Sequence, residues 1–297
     1  MGAKESVDRT VSEKDVPKAK GEKDESKGVA DGAKREEVEA GRVAVSNKEV
    51  SETDAAALKG EGKSDWLKEL SLSANSTFNT KYVWRGLAVE DAPVWQPDFT
   101  VGYGPVSFNW WGNMDMTRWG DRAGYGRQKG EFTEIDYNVD VSVPVSIFTL
   151  SGGYVAYTFP HTGADSTTEL YTGVSVDCFL KPALKVYFDV DECQGEYGLL
   201  CFKHDVELFK IGKDITVGAE ACISGGLGSR EFNDFYYGVR KGAMVDLQID
   251  GGLPISFGDH ITVTPGIHWS KVVNPALREG PTRDDTGWLG IRTGISF

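Results

Sequence analysis

Carboxylates are the side chains through which this chain could do chemistry, and they recur at every second residue. In the stretch 133–143, Glu134, Asp136, Asn138, Asp140 and Ser142 alternate with Ile135, Tyr137, Val139, Val141 and Val143. The same polar register elsewhere holds Asp98, Asp189, Asp191, Glu220 and Asp246, against Lys81, Arg85 and Arg292. Acids outnumber bases there, so they cannot all be ion-paired. Carboxylates crowded on one wall need water and attract cations. Acid–base catalysis would use the same groups, but the histidines give it no support. His161 falls in a loop, His204 on the apolar register and His260 at a turn, while His268, on the polar register, has no nucleophile beside it at a catalytic spacing. No enzyme is expected. No cofactor is expected either, because the Gly-rich segments lack a phosphate-cradle pattern. The cysteines, four in number and without CxxC spacing, argue against zinc.

A period of two is the period of strands. Twelve stretches carry it: 70–84, 94–103, 105–115, 131–143, 146–158, 167–179, 182–192, 198–209, 214–224, 242–257, 260–271 and 287–297. Their connections alternate between tight turns, such as Gly104-Pro105 and Gly258-Asp259, and long polar loops, such as 116–130, 225–241 and 272–286. The loop 225–241 has room for a further hairpin. Tight turns on one rim, long loops on the other and an even strand number predict an antiparallel, up-and-down transmembrane barrel of about twelve strands. The alternation also divides the surfaces: apolar residues turn to lipid, and the acids line the lumen. Trp84, Trp95, Trp110 and Trp269 fall on the apolar register near the long-loop rim, and Tyr103, Phe179 and Phe297 near the other, as two interfacial girdles would. No apolar run is long enough for a spanning helix. Pro97 and Pro265 sit inside strands where they cannot donate to a ladder, so bulges are expected there.

The register also suggests a cross-link. Pairing Asp191 with Lys203 about a hairpin centred on Tyr197 sets Cys193 opposite Cys201, where a disulfide could form in an exported compartment. Cys178 and Cys222 face opposite ways, which argues against their pairing.

Of the 297 residues, 1–65 contain no aromatic and no cysteine and are dense in Lys, Glu, Asp, Ser and Ala. Such a segment buries too little apolar surface to offset its ordering entropy, so a disordered tail precedes a barrel over 66–297. The net charge is −13, most of it in the barrel, and with a pI near 4.9 nucleic acid is not an expected partner. Met1-Gly2-Ala3-Lys4-Glu5-Ser6 opens on charge with no apolar run behind it, so a form whose export leader has been removed is expected. The same six residues also fit the short N-myristoylation pattern, which a barrel would not use.

The final strand, with Leu289, Ile291, Thr293, Ile295 and a terminal Phe297 on one face and Gly290, Arg292, Gly294 and Ser296 on the other, resembles the closing strand of Gram-negative outer-membrane β-barrels. Thr80-Lys81-Tyr82-Val83-Trp84-Arg85-Gly86 is similar to the Tyr-x-x-Arg-Gly element of a family of bacterial outer-membrane proteins of unassigned substrate. The resemblance implies a porin-like channel in the outer membrane and recognition of the Phe297 strand by the barrel insertion machinery. The acidic polar register adds a mild preference for cations among small polar solutes. The basic loop 116–130, with Arg118, Arg122, Arg127 and Lys129, faces lipopolysaccharide phosphates or folds over the mouth. A closed barrel with a structural, adhesive or assembly role is the rival expectation.

Overall fold

The computed structural model describes residues 69–117, 129–278 and 285–297. The expected tail and the arginines of the 116–130 loop lie outside the described residues. Strands account for most of what is described: β1 Leu70–Asn79, β2 Tyr82–Trp84, β3 Leu87–Glu90, β4 Val94–Tyr103, β5 Val106–Asp115, β6 Phe132–Val145, β7 Phe148–Thr158 and β8 Thr167–Val176. Then follow β9 Ala183–Asp189, β10 Glu196–Ile211, β11 Ile215–Gly228, β12 Ala243–Gly252, β13 Ile255–Phe257, β14 Ile261–Val272 and β15 Asp285–Ser296. One helix, α1 (Arg230–Tyr237), interrupts the series between β11 and β12.

Every stave pairs antiparallel with its sequence neighbours, and β1 pairs with β15, Ala74 opposite Ile295 and Phe78 opposite Ile291. The sheet therefore has no free edge. Its last hydrogen bonds run between Leu72 and Phe297, N–H to carbonyl in each direction at 3.1 and 2.9 Å. β12 and β13 are one stave broken at Leu253-Pro254, since both keep the same register against β11 and β14. With β2 and β3 pairing only with each other, the described residues form one closed barrel of twelve staves, the number expected from the sequence.

The prolines are accommodated differently from the expectation. No register shift occurs at either one. Pro97 sits where the β4–β5 ladder lapses between Trp95 and Asp98, and Pro265 faces the break in the neighbouring stave, where Leu253 N–H donates to its carbonyl at 3.0 Å. Bulges occur instead at 113/114, 207/209 and 225/227.

Outside, the rows of apolar side chains stand free: Phe78, Val139, Leu150, Leu170, Ile223 and Ile291 are all exposed. Exposed apolar surface of this extent marks contact with an apolar medium. Trp95, Trp110 and Trp269 lie on these outward rows at the long-loop rim, with Phe132 beside the first two. At the tight-turn rim Tyr103, Phe179 and Phe297 are 51%, 74% and 62% exposed. Along β4 the two girdles are eight residues apart, from Trp95 to Tyr103, about 27 Å along the stave and about 20 Å across the membrane at the usual tilt, close to the height of an apolar belt. Trp84 is the exception to the expected girdle. It lies inside the bore at 2% exposure, because the chain leaves the wall after Asn79 and turns inward.

His204, expected on the apolar face, is satisfied there by position. It sits near the tight-turn rim, its ring against Phe179 and its Nδ1 2.8 Å from the Phe179 carbonyl.

Candidate functional site

Thr80 marks the point where the chain leaves the wall: its N–H donates to the Leu289 carbonyl at 2.9 Å, and its hydroxyl accepts from Leu289 N–H at 3.0 Å. Beyond it the β2–β3 hairpin folds into the lumen, closed at its base by an ion pair of Lys81 with Asp91 at 2.5 Å. Arg85 and Gly86 form its two-residue tip with φ of +42° and +86°, the positive values that a tight hairpin turn of the I′ kind requires. Glycine takes that conformation freely; arginine does so only under constraint. Gly86 is also needed for space, since a Cβ there would meet Asp246 Cβ at 3.0 Å.

The constraint on Arg85 is visible. Its guanidinium, 1% exposed, donates from Nη1 and Nη2 to both carboxylate oxygens of Glu169 at 2.7 and 2.8 Å. Its Cζ lies 4.3 Å from the ring centres of Trp84 and Tyr197, 4.8 Å from Tyr187 and 5.5 Å from Phe232. Its carbonyl accepts from the Tyr237 hydroxyl at 2.6 Å. A planar fork matched to a carboxylate and stacked among aromatic faces is what arginine does and lysine cannot. The guanidinium stays charged at any physiological pH, so the latch is permanent unless it is pulled open.

Four staves and one helix converge on this tip. Tyr187 and Tyr197 come from the facing staves β9 and β10, and Tyr197 donates to Asp246 of β12 at 2.8 Å. Glu169 of β8 also accepts from the Tyr157 hydroxyl at 2.7 Å. Phe232 and Tyr237 come from α1. That helix starts at Ser229, whose hydroxyl accepts from Phe232 N–H at 3.2 Å, and stops at Gly238 with φ +66°. It occupies the loop whose length left room for a further hairpin. Together with Val245, Val272 and Leu277 these residues form a packed core inside the barrel. Twelve staves enclose more space than their own side chains fill, so the loops supply the rest.

Around this core the polar register holds its acids. Glu134 accepts from the Tyr82 hydroxyl at 3.0 Å, and Asp136, next on the inner face of the same stave β6, is fully buried. An amide chain links Asn79 to Gln96, Gln96 to Asn113, and Asn113 to Glu90 and Thr133, in steps of 2.8 to 3.1 Å. Asp98 accepts from Asn75 and Asn109, each at 2.8 Å. Toward the tight-turn rim the wall opens to water. Asp140 accepts from Tyr171 at 2.6 Å, Glu220 pairs with Arg292 at 3.1 Å, and Asp250 contacts His268 at 2.7 Å, all at partly exposed positions.

Most of the residues anticipated for the lumen are therefore in it: Asp98, Glu134, Asp136, Asp140, Glu220, Asp246, Arg85 and Arg292. Lys81 stands at the hairpin base. Asp189 keeps the inward register, opposite Glu169 of β8, but serves the rim turn; Asp191 leaves the wall. Asp189 ends β9 and accepts from the N–H groups of Asp191, Cys193 and Gln194 at 3.0 to 3.1 Å and from the Thr167 hydroxyl at 2.7 Å, organising the rim turn. Asp191 lies exposed in that turn, off the wall. The reason is register: β9 and β10 pair Tyr187 with Tyr197 and Cys201 with Ala183, so their turn centres near residue 192 and the hairpin about Tyr197 does not exist. The expected Cys193–Cys201 bridge fails for the same reason. All four cysteines are free thiols, and Cys201 lies beside Cys222.

The aromatic ring around Arg85 was missed from the sequence. Its signal was present: Tyr157, Tyr171, Tyr187 and Tyr197 all fall on the polar register of their staves. Tyrosines among lumenal acids are donors to those acids, and apolarity alone hid them.

No protein-family model matches the chain, and no curated protein does. Solved barrels resemble it distantly. The NanC porin is 13% identical with a TM-score of 0.39, and the KdgM porin 12% identical with 0.40, each match covering 76% of this chain and 98% of the other. LpxR from Salmonella typhimurium is 8% identical with a TM-score of 0.41, covering 76% of this chain and 99% of that one. The chain's own strand pairing, closed seam and lipid-facing exterior have the build of an outer-membrane β-barrel.

Proposed function

We propose that the chain is a porin-like passage in a bacterial outer membrane, carrying small polar solutes by diffusion with a mild preference for cations. The observation that carries this reading is the two-part lumen. Its tight-turn half is a wall of acids beside water, and its long-loop half is narrowed by a hairpin folded in from the first loop and held by Arg85. Carboxylates in a confined bore raise the local concentration of cations. The hairpin is held by the Arg85–Glu169 ion pair, by hydrogen bonds of Tyr82, Glu90 and the Arg85 carbonyl, and by its packing against α1. None of these is a ladder bond of the barrel wall, so its displacement would leave the barrel closed. The closing strand, with Phe297 exposed at the tight-turn rim, suits recognition by insertion machinery. The outward rows meet outer-membrane lipid, and the loops meet lipopolysaccharide.

A second reading, a closed barrel serving structure, adhesion or assembly, draws on how fully the outer bore is filled: Trp84, Arg85, Glu90 and Phe232 are each 2% exposed or less. Conductance in planar bilayers separates the two. The passage reading expects small steady currents with a cation-favouring reversal potential, larger when residues 82–90 are replaced by a short Gly-Ser link. Silence of both proteins, each inserted and correctly folded, would overturn it in favour of the closed barrel. Asp140→Asn should shift the reversal potential toward zero; an unchanged potential removes Asp140 from the selectivity role.

A further inference from the structure

Cys201 and Cys222 are on neighbouring staves and on the same lumenal face. β10 and β11 pair Cys201 with Ser224 and Lys203 with Cys222, so the two cysteines are diagonal neighbours across one seam. Their sulfurs are 2.9 Å apart, about 1 Å longer than a disulfide bond. Cys201 is buried at 5% and Cys222 is half-buried, on the side where the bore opens to water. The other two thiols are elsewhere, Cys178 exposed in the turn after β8 and Cys193 in the rim turn after β9. Diagonal cross-strand sulfurs on a rigid wall are held at short range whether or not they are bonded, so closing the bond needs only a small adjustment of side chains and wall.

We propose that Cys201 and Cys222 are a built redox pair that closes to an intramolecular cross-strand disulfide when a disulfide oxidant enters the bore. With oxidised glutathione the step balances. One of the two thiols loses its proton and its thiolate attacks one glutathione sulfur, expelling the other half as a glutathione thiolate. The thiolate of the other cysteine then displaces the second glutathione from the mixed disulfide. Two protein thiols are oxidised, one glutathione disulfide is reduced, and two glutathione molecules leave with the two protons. The bond ties β10 to β11 within the barrel wall and leaves Cys178 and Cys193 reduced. This pairing does not rest on the passage reading.

The test uses the full chain folded in detergent micelles with its thiols reduced, its fold checked by heat-modifiable migration on gels. After incubation with oxidised glutathione, the protein is denatured in an alkylating reagent and mapped by mass spectrometry. The expected result is a fall from four alkylatable thiols to two, with tryptic peptide 186–203 joined to 214–230. Because peptide 186–203 also carries Cys193, fragmentation must place the link on Cys201. Four alkylated thiols, a glutathione adduct that persists on Cys201 or Cys222, or a link to Cys193 or Cys178 would each overturn the pairing. Cys222→Ser should leave Cys201 unbridged, and a new link from Cys201 to another cysteine in that variant would also count against it. The assay reads thiols alone, so its failure leaves the conductance question untouched, and the reverse holds too. Protein extracted from an outer membrane and alkylated at harvest should carry the same joined peptides; a fully reduced pair there would show that the bond is not the resident state and overturn its use by the cell.

Discussion

Arg85 is the residue on which the interior depends. A buried ion pair is costly to assemble and more costly to break, because removing one partner strands the other charge. Arg85→Ala leaves the Glu169 carboxylate with the Tyr157 hydroxyl and no cation at its side. The expected loss is about 3–5 kcal/mol, measured as a lower urea midpoint of the barrel in lipid. Arg85→Lys should fall between wild type and Ala, since it keeps the charge but loses the fork and the stacking on Trp84 and Tyr197. Equal midpoints for Lys and wild type would mean that charge alone matters there. Gly226 has a smaller role of the same kind. Its missing side chain leaves room for the Tyr197 hydroxyl and the Asp246 carboxylate, so Gly226→Ala should cost about 1–3 kcal/mol by overpacking, read in the same unfolding assay.

At the scale of elements, the hairpin and α1 decide whether the bore is a passage. Each is locally specified: the hairpin by Gly86 at its tip, the helix by Ser229 at its start and Gly238 at its end. The Ser229 hydroxyl has two duties, accepting from Phe232 N–H and from Glu196 N–H at 3.0 Å, which ties α1 to the start of β10. Ser229→Ala should weaken the helix by about 1 kcal/mol. Limited trypsin digestion of the folded barrel checks this: cleavage after Arg230 and Lys241 should be faster than in wild type, with the staves intact. Unchanged cleavage would show that packing of Phe232 against Trp84 and Tyr197 suffices without the cap.

The molecule as a whole places apolar side chains outward, and depth in the belt should set the penalty for a charge. Val139 lies mid-stave on the outer face of β6, and Val145 at its tight-turn end. Val139→Arg is expected to cost about 2–4 kcal/mol in a bilayer and Val145→Arg only about 0–1, compared by chemical unfolding in lipid vesicles. Equal penalties at the two depths would mean that this face does not meet hydrocarbon.

The strand period, the alternation of tight turns with long loops and the two-faced closing strand determined the barrel, because each is a local rule repeated twelve times and errors at one stave do not propagate. The same repetition placed Asp98, Glu134, Asp136, Asp140, Glu220, Asp246 and Arg292 on the inner wall. Where the sequence alone stopped, a long-range choice was being made. Tyr82 and Trp84 continue the period of β1 without a break, and nothing local says that the chain leaves the wall at Thr80; their burial follows from a bore wide enough to need filling. The β9–β10 register pairs Tyr187 with Tyr197, so the turn falls near residue 192 and not at Tyr197, while the separate register of β10 on β11 brings Cys201 beside Cys222. Only closure of the twelve staves brings Glu169, 84 residues downstream, to the tip of that hairpin, and an ion pair between such distant positions leaves no periodic trace in the chain.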